Sequence, residues 1–281
     1  MSPVFLGLVA AICWGFHDIC VRYLSQKTPV SACIFTVMLI GLLFHTGLMA
    51  VTDGFVMPAI PAIWMSMIAG VFFVIAGFGL YFAFQRGPVR LVAPLIASYP
   101  ILSVGVAAAQ GDTISLMQWL AVLAIVTGVA LVAALSDTSH SKTPTKGLTI
   151  FYSIISAIGF AGTFAVGQHA AELGHEMSTT FITRVAAVGG TVVVLLSCKQ
   201  PFWPGKRALP LLVAMGVADG LALLCVLSAG SLPDAQYASV ASSMFGLLTI
   251  LLAWVWLKET MTAAQWGGCI VAFCGVGYLA L

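Results

Sequence analysis

Apolar stretches of about twenty residues follow one another along this chain, separated by short breaks of proline, glycine or clustered charge. Helix of that length crosses roughly 30 Å of hydrocarbon. Runs such as Leu116–Leu135 show none of the alternation of apolar and polar residues that marks a transmembrane barrel strand. The pattern therefore predicts an all-α membrane protein with ten spans, at about 4–25, 30–51, 60–85, 88–110, 114–135, 147–171, 177–198, 207–230, 234–256 and 261–281. The longest polar stretch, Ser136 to Lys146, lies near the midpoint. It reads as a linker (136–146) between a first five-helix repeat at 1–135 and a second at 147–281.

The halves repeat one another. Gly111-Asp112-Thr113, Gln118-Trp119 and Gly128 recur as Lys258-Glu259-Thr260, Gln265-Trp266 and Gly275 at a constant offset of 147 residues. Pro88 pairs with Pro233 at an offset of 145. An odd number of helices per copy makes the second copy insert upside down, so the expected architecture is two inverted five-helix repeats around a central cavity, with the solute site between them near the midplane.

Composition identifies the solvent. With 61% hydrophobic and 7% charged residues, against about 25% charged in ordinary soluble domains, the chain cannot cover an aqueous surface. A net charge of +2 without a basic tract points to no nucleic-acid partner. Seven cysteines fall almost wholly within apolar stretches, without a C-x-x-C pair or histidines at zinc spacing, and read as small core residues; no metal or cofactor is expected. The first apolar run lacks a basic leader and passes into His17 and Asp18, so it is expected to stay as the first span. Ten of the 11 basic residues fall in loops on one side and Asp53, Asp112, Glu172, Glu176 and Asp234 on the other, which predicts termini outside the cytoplasm.

The acid-Thr-x4-Gln-Trp-x8-Gly pattern, present at Asp112 and again at Glu259, resembles the EamA-type repeat of the drug/metabolite transporter superfamily, and Trp14-Gly15 fits that family's Trp-small pair. Gly111 departs from the basic residue that Lys258 supplies in the second copy. Both acids are read as sitting at the N-termini of their own helices, where a carboxylate suits the dipole. The chain is most similar to bacterial exporters of amino acids, aromatic ones included, and of metabolites. That resemblance implies a multi-pass protein of the bacterial inner membrane and a cavity faced by Tyr99-Pro100, Phe160 and Ser242.

The residues themselves add candidates. Pro88, Pro94 and Pro100 free backbone carbonyls in the fourth span, which lipid does not tolerate, so Ser98, Tyr99 and Pro100 are expected to line the pathway. The 145 offset carries these positions to Ser243, Met244 and Phe245, just after Ser242. Serine hydroxyls bonding only their own helix are the alternative. Gly70, Gly77, Tyr81 and Phe84 form a stripe on the third span that serves either helix packing or the cavity wall. Trp14, Asp18 and Arg22 share a stripe on the first, with His17 beside them. Asp18 and Asp219 are the acids deepest in their spans, either a proton or amine site or structural, Asp18 then pairing with Arg22 or a neighbouring helix. His45 and His169 read as packing residues. Arg184 reads as snorkelling towards Glu172 or Glu176, or as holding a substrate carboxylate.

Together these predict a secondary transporter, not an enzyme, exporting amino acids or similar small amphiphilic metabolites by alternating access, as monomer or homodimer in the lipid bilayer. The expected site is Trp14, His17, Tyr81, Ser98, Tyr99, Phe160 and Ser242, with Asp18 and Asp219 as possible coupling residues. Transport of a nucleotide sugar or a cationic drug is the alternative, then a membrane enzyme or sensor. No H-E-x-x-H, G-x-S-x-G or Walker lysine is present.

Overall fold

A computed structural model describes residues 2–52, 54–102, 105, 115–135 and 146–279. Among them every regular element is helical: α1 (Pro3–Leu24), α2 (Val30–Val51), α3 (Ile60–Arg86), α4 (Val89–Ala97), α5 (Leu116–Leu135), α6 (Lys146–Glu172), α7 (Glu176–Ser197), α8 (Leu209–Ser228), α9 (Gln236–Ser242), α10 (Phe245–Leu252) and α11 (Ala263–Leu279). Seven helical segments are long and apolar enough to cross a membrane, counting Gln236–Leu257 as one. Shorter apolar helices at Val89–Leu102, Leu116–Val132 and Ala263–Leu279 accompany them. The multi-pass expectation thus holds. Gly111, Asp112 and Thr113, Asp53 and the linker before Lys146 lie outside the described residues.

Local chemistry sets the helix ends. Ser2 accepts a hydrogen bond from the amide of Phe5 at the start of α1, with proline in the first turn. The Gln-Trp motif marks a reciprocal cap in both copies. Gln118 accepts from the Ser115 amide while Ser115 Oγ accepts from that of Gln118. Thr262 and Gln265 repeat the exchange 147 residues later. Glu259, read from sequence as serving its own helix, instead serves another. Lys258 turns the chain with a left-handed φ of 56°, and the Glu259 carboxylate accepts from the amides of Val89 and Arg90, capping α4 across the boundary between repeats. Arg90 in turn donates to the carbonyl of Thr260.

Two spans expected to run unbroken are interrupted at matched places. Helix α4 ends at Ala97, and α9 and α10 part at Ser243 and Met244, the same point at the 145 offset. Residues before a proline avoid the helical region, so Pro100 loosens the backbone at Ser98 and Tyr99. In the second half hydroxyls do the corresponding work. Ser242 Oγ bonds the carbonyl of Ser239, and Ser243 Oγ that of Val240, competing with the helix ladder.

The two repeats pack through each other. Helix α3 lies against α6 and α7, α1 against α8, α9 and α10, and α2 against α8 and α7. Lipid offers little hydrophobic drive between helices, so close backbone approach carries the packing. At the α3–α6 crossing a side chain on Gly159 would begin 2.5 Å from the backbone nitrogen of Ala76, and one on Gly79 would begin 2.8 Å from the carbonyl of Tyr152.

Candidate functional site

A narrow cavity, with room as it stands for little more than a water molecule, lies between the repeats. Helix α1 contributes Trp14 and His17, α2 Ile34, Val37 and Met38, α3 Phe73, Gly77, Leu80 and Tyr81, α6 Phe160, and α8 Asp219. The α3 residues recur at helical spacing, so one face of that helix forms a wall. An apolar shell with a few polar groups suits a small amphiphilic solute.

Five aromatic rings pack together beside this space, with Trp14 and Phe160 on its wall. Trp14 stacks on Phe164 at 5.4 Å, Phe160 on Phe164 at 5.7 Å, and Tyr99 meets Phe164 edge-on at 5.3 Å. Phe245 lies 6.4 Å from both Trp14 and Phe160. Both repeats supply members. Behind the rings, the Tyr99 hydroxyl is 2.6 Å from Ser242 Oγ and also donates to the Ser239 carbonyl, tying the α4 break to the α9–α10 break.

Two buried polar groupings flank the cavity. In the first, Arg184 Nη1 donates to Asp219 Oδ2 at 2.6 Å and Nη2 reaches the Asp219 carbonyl at 3.3 Å, while Trp14 Nε1 donates to Oδ1 at 3.0 Å. Arg184 is 0% exposed. Its guanidinium lies 4.7 Å over the Phe73 ring, and a side chain on Gly41 would begin 3.0 Å from its Cζ and press on it. A charge this deep persists because it is paired and bonded. Snorkelling to Glu172 or Glu176 is therefore not what Arg184 does. His45 supports the same region, its Nε2 2.9 Å from the carbonyl of Gly220.

In the second grouping, His17 Nδ1 lies 3.0 Å from Asp18 Oδ1 and Nε2 lies 3.1 Å from the Tyr81 hydroxyl. An ionised Asp18 only accepts, so Nδ1 then carries the hydrogen and Nε2 accepts from Tyr81. Arg22 does not reach Asp18. It donates to the Phe84 carbonyl at 2.7 Å and lies 3.8 Å from Glu259.

Of the residues proposed from sequence, Trp14, His17, Tyr81, Phe160 and Asp219 stand on the cavity wall, and Ser98, Tyr99, Ser242 and Asp18 do not. Tyr99 and Ser242 form the layer behind the aromatic rings, Ser98 Oγ bonds the carbonyl of Leu95, and Asp18 sits behind His17. Gly77 faces the cavity, whereas Gly70 packs on α7. His169 bonds Glu172 at the surface.

One family model, described as the EamA-like transporter family, matches residues 1–134 and again residues 147–281. The chain belongs to that family. Membership in the drug/metabolite transporter superfamily points to a membrane transporter of small metabolites. No curated protein matches the sequence. Among the solved structures that match, one described as "Crystal structure of protein" superposes with a TM-score of 0.71 over 99% of this chain and 96% of that one, at 15% identity, a likeness of fold.

Sequence reasoning missed the Arg184–Asp219 pair and the contributions of Phe73, Met38, Phe164 and Phe245 in this EamA-like transporter. A signal was present. Arg184 is the basic residue deepest within a span and Asp219 one of two deep acids, so charge balance in lipid suggests that they meet.

Proposed function

We propose that this EamA-like transporter is a secondary transporter that moves small amphiphilic metabolites out of a bacterial cell by alternating access between two inverted five-helix repeats, with amino acids the first class to test. The observation that carries this reading is the cavity walled by residues of both repeats, with Trp14 and Phe160 of its wall packed into one cluster with Tyr99, Phe164 and Phe245. Rocking one repeat against the other parts these rings and opens the site to the opposite side. Loop charges favour termini outside the cytoplasm, which puts the Glu259 cap and Arg22 on the cytoplasmic side. Solute binding is assigned to Trp14, His17, Tyr81 and Phe160, with Ser98, Tyr99 and Ser242 supporting the breaks behind them.

Counterflow of a labelled amino-acid and amine panel in proteoliposomes tests this. Saturable counterflow that Phe160→Ala impairs supports it. Folded protein that exchanges no member of the panel, nor a wider metabolite panel, defeats it.

A specific observation favours the cationic alternative over a zwitterion. A substrate carboxylate needs a donor, and Arg184, the one cation beside the cavity among the described residues, already holds Asp219. The aromatic walls suit an ammonium group.

A further inference from the structure

Two buried carboxylates flank the cavity, and their partners differ in kind. Both oxygens of Asp219 are bonded, and a guanidinium, charged at every physiological pH, lies 2.6 Å away. Asp18 is 0% exposed, with Oδ1 on His17 and Oδ2 without a hydrogen-bond partner among the described residues. Arg22, one turn further on, faces Glu259 and Phe84 instead. Among the described residues the neighbour placed to offset the charge of Asp18 is His17, which can do so only with a proton on both ring nitrogens. A carboxylate left uncompensated at this depth is costly, so a proton on the pair or a second cation beside it is required.

His17 is also the part of this pair that touches the cavity, with Tyr81 on its other nitrogen. A cationic group entering there approaches the pair across one imidazole ring. Other titratable groups nearby are Cys20 on α1, Cys33 on α2, Tyr81 on α3 and Asp219 on α8, the last neutralised by Arg184 of α7. Of the further helices packed on α1, α10 brings none and α9 only Tyr237.

We propose that the His17–Asp18 pair is the proton site of a one-for-one exchange with a small organic amine held in the cavity, and that Asp219 takes no part in the coupling. This rests on the transport reading above. An ammonium ion enters from the cytoplasmic side, the proton on the pair leaves to water, and the charge within the protein is unchanged. After the repeats rock, a proton from the far side rebinds the pair and the ammonium ion departs. The permanently paired Arg184–Asp219 holds its charge balance through both steps.

Phenethylamine, an aromatic amine that fits the chemistry of the walls, is the probe, with phenylalanine as its zwitterionic counterpart. Purified full-length protein is titrated in weak buffer with a pH indicator. Wild type is expected to release about one proton per phenethylamine bound, with an apparent Kd that falls about tenfold for each unit the pH rises where the pair holds its proton. Folded Asp18→Asn is expected to release none and to lose the pH dependence, while the double variant Arg184→Met with Asp219→Leu, which alters the cavity wall and so shifts the affinity itself, still releases about one proton for each amine it binds. Where Asp18→Asn does not fold, His17→Gln serves, and is expected to displace the pH of half-release. Binding without proton release, release unchanged in Asp18→Asn or His17→Gln, or a double variant that binds the amine without releasing a proton overturns the proposal. So does phenylalanine binding where phenethylamine does not. Counterflow of any solute in those cases leaves the transport reading standing, and its absence for all solutes defeats that reading separately.

Discussion

Replacing Arg184 by methionine removes the one permanent cation beside Asp219 and leaves its carboxylate held by Trp14 Nε1 alone. Breaking a buried pair from one side costs about 3–5 kcal/mol, because the remaining charge loses its partner without regaining water. Asp219→Leu strands the Arg184 guanidinium, which is 0% exposed, and is expected to cost a similar amount. In the double variant both charges go together. What remains is the lost contact with Phe73 and the looser fit at Gly41, on the order of 1–2 kcal/mol. The double variant should therefore be more stable than either single one, with a coupling of at least about 2 kcal/mol. Reversible unfolding in mixed detergent, followed by tryptophan fluorescence, measures all four proteins. If Arg184→Met lies within about 0.5 kcal/mol of wild type, or the double variant is no more stable than the singles, the pair is not a closed ionic unit.

Other outcomes follow from the same geometry. Phe160→Ala should raise the half-saturation concentration for counterflow about tenfold by removing a ring from the cavity wall, while Tyr99→Phe, whose hydroxyl serves Ser242 and Ser239, should change it less than about twofold and lower stability instead. Equal effects of the two on half-saturation would contradict the layered arrangement. Glu259→Gln weakens the cap on Val89 and Arg90 and should lower stability by about 1 kcal/mol; an unchanged unfolding midpoint would show that the cap is idle. Gly159→Val drives a methyl-bearing carbon into the Ala76 backbone and should abolish monodisperse protein on size exclusion, whereas Gly147→Ala, with open space at that position, should behave as wild type.

Much of the frame was legible in the sequence. Apolar runs of membrane-spanning length are a direct record of the solvent, so the helical, multi-pass character followed from composition and run length. The repeat was equally plain, because Gln118-Trp119 and Gln265-Trp266 keep one spacing, and the structure gives that spacing a cause in two identical caps. Trp14, His17 and Tyr81 were also identifiable as wall residues, since aromatic and ionisable side chains at midspan have few places to go other than an interior wall, and the family resemblance supplied Phe160.

Helix breaks and partners were not legible. The matched stops at Ser98 and Ser243 depend on which carbonyls the serine hydroxyls take, and Glu259 turned out to cap α4 although Val89 is 170 residues away. Asp18 and Asp219 looked alike along the chain, as acids deep in apolar helices. Sequence spacing fixes which residues share a face of one helix and says nothing of what a second helix brings to meet it. By itself the sequence determined the solvent, the helical character and the duplication, because these follow from local polarity and repetition. Tertiary structure alone decided that Asp219 meets a guanidinium while Asp18 meets an imidazole, because a buried charge is defined by its partners, and those arrive from distant segments through close helix packing.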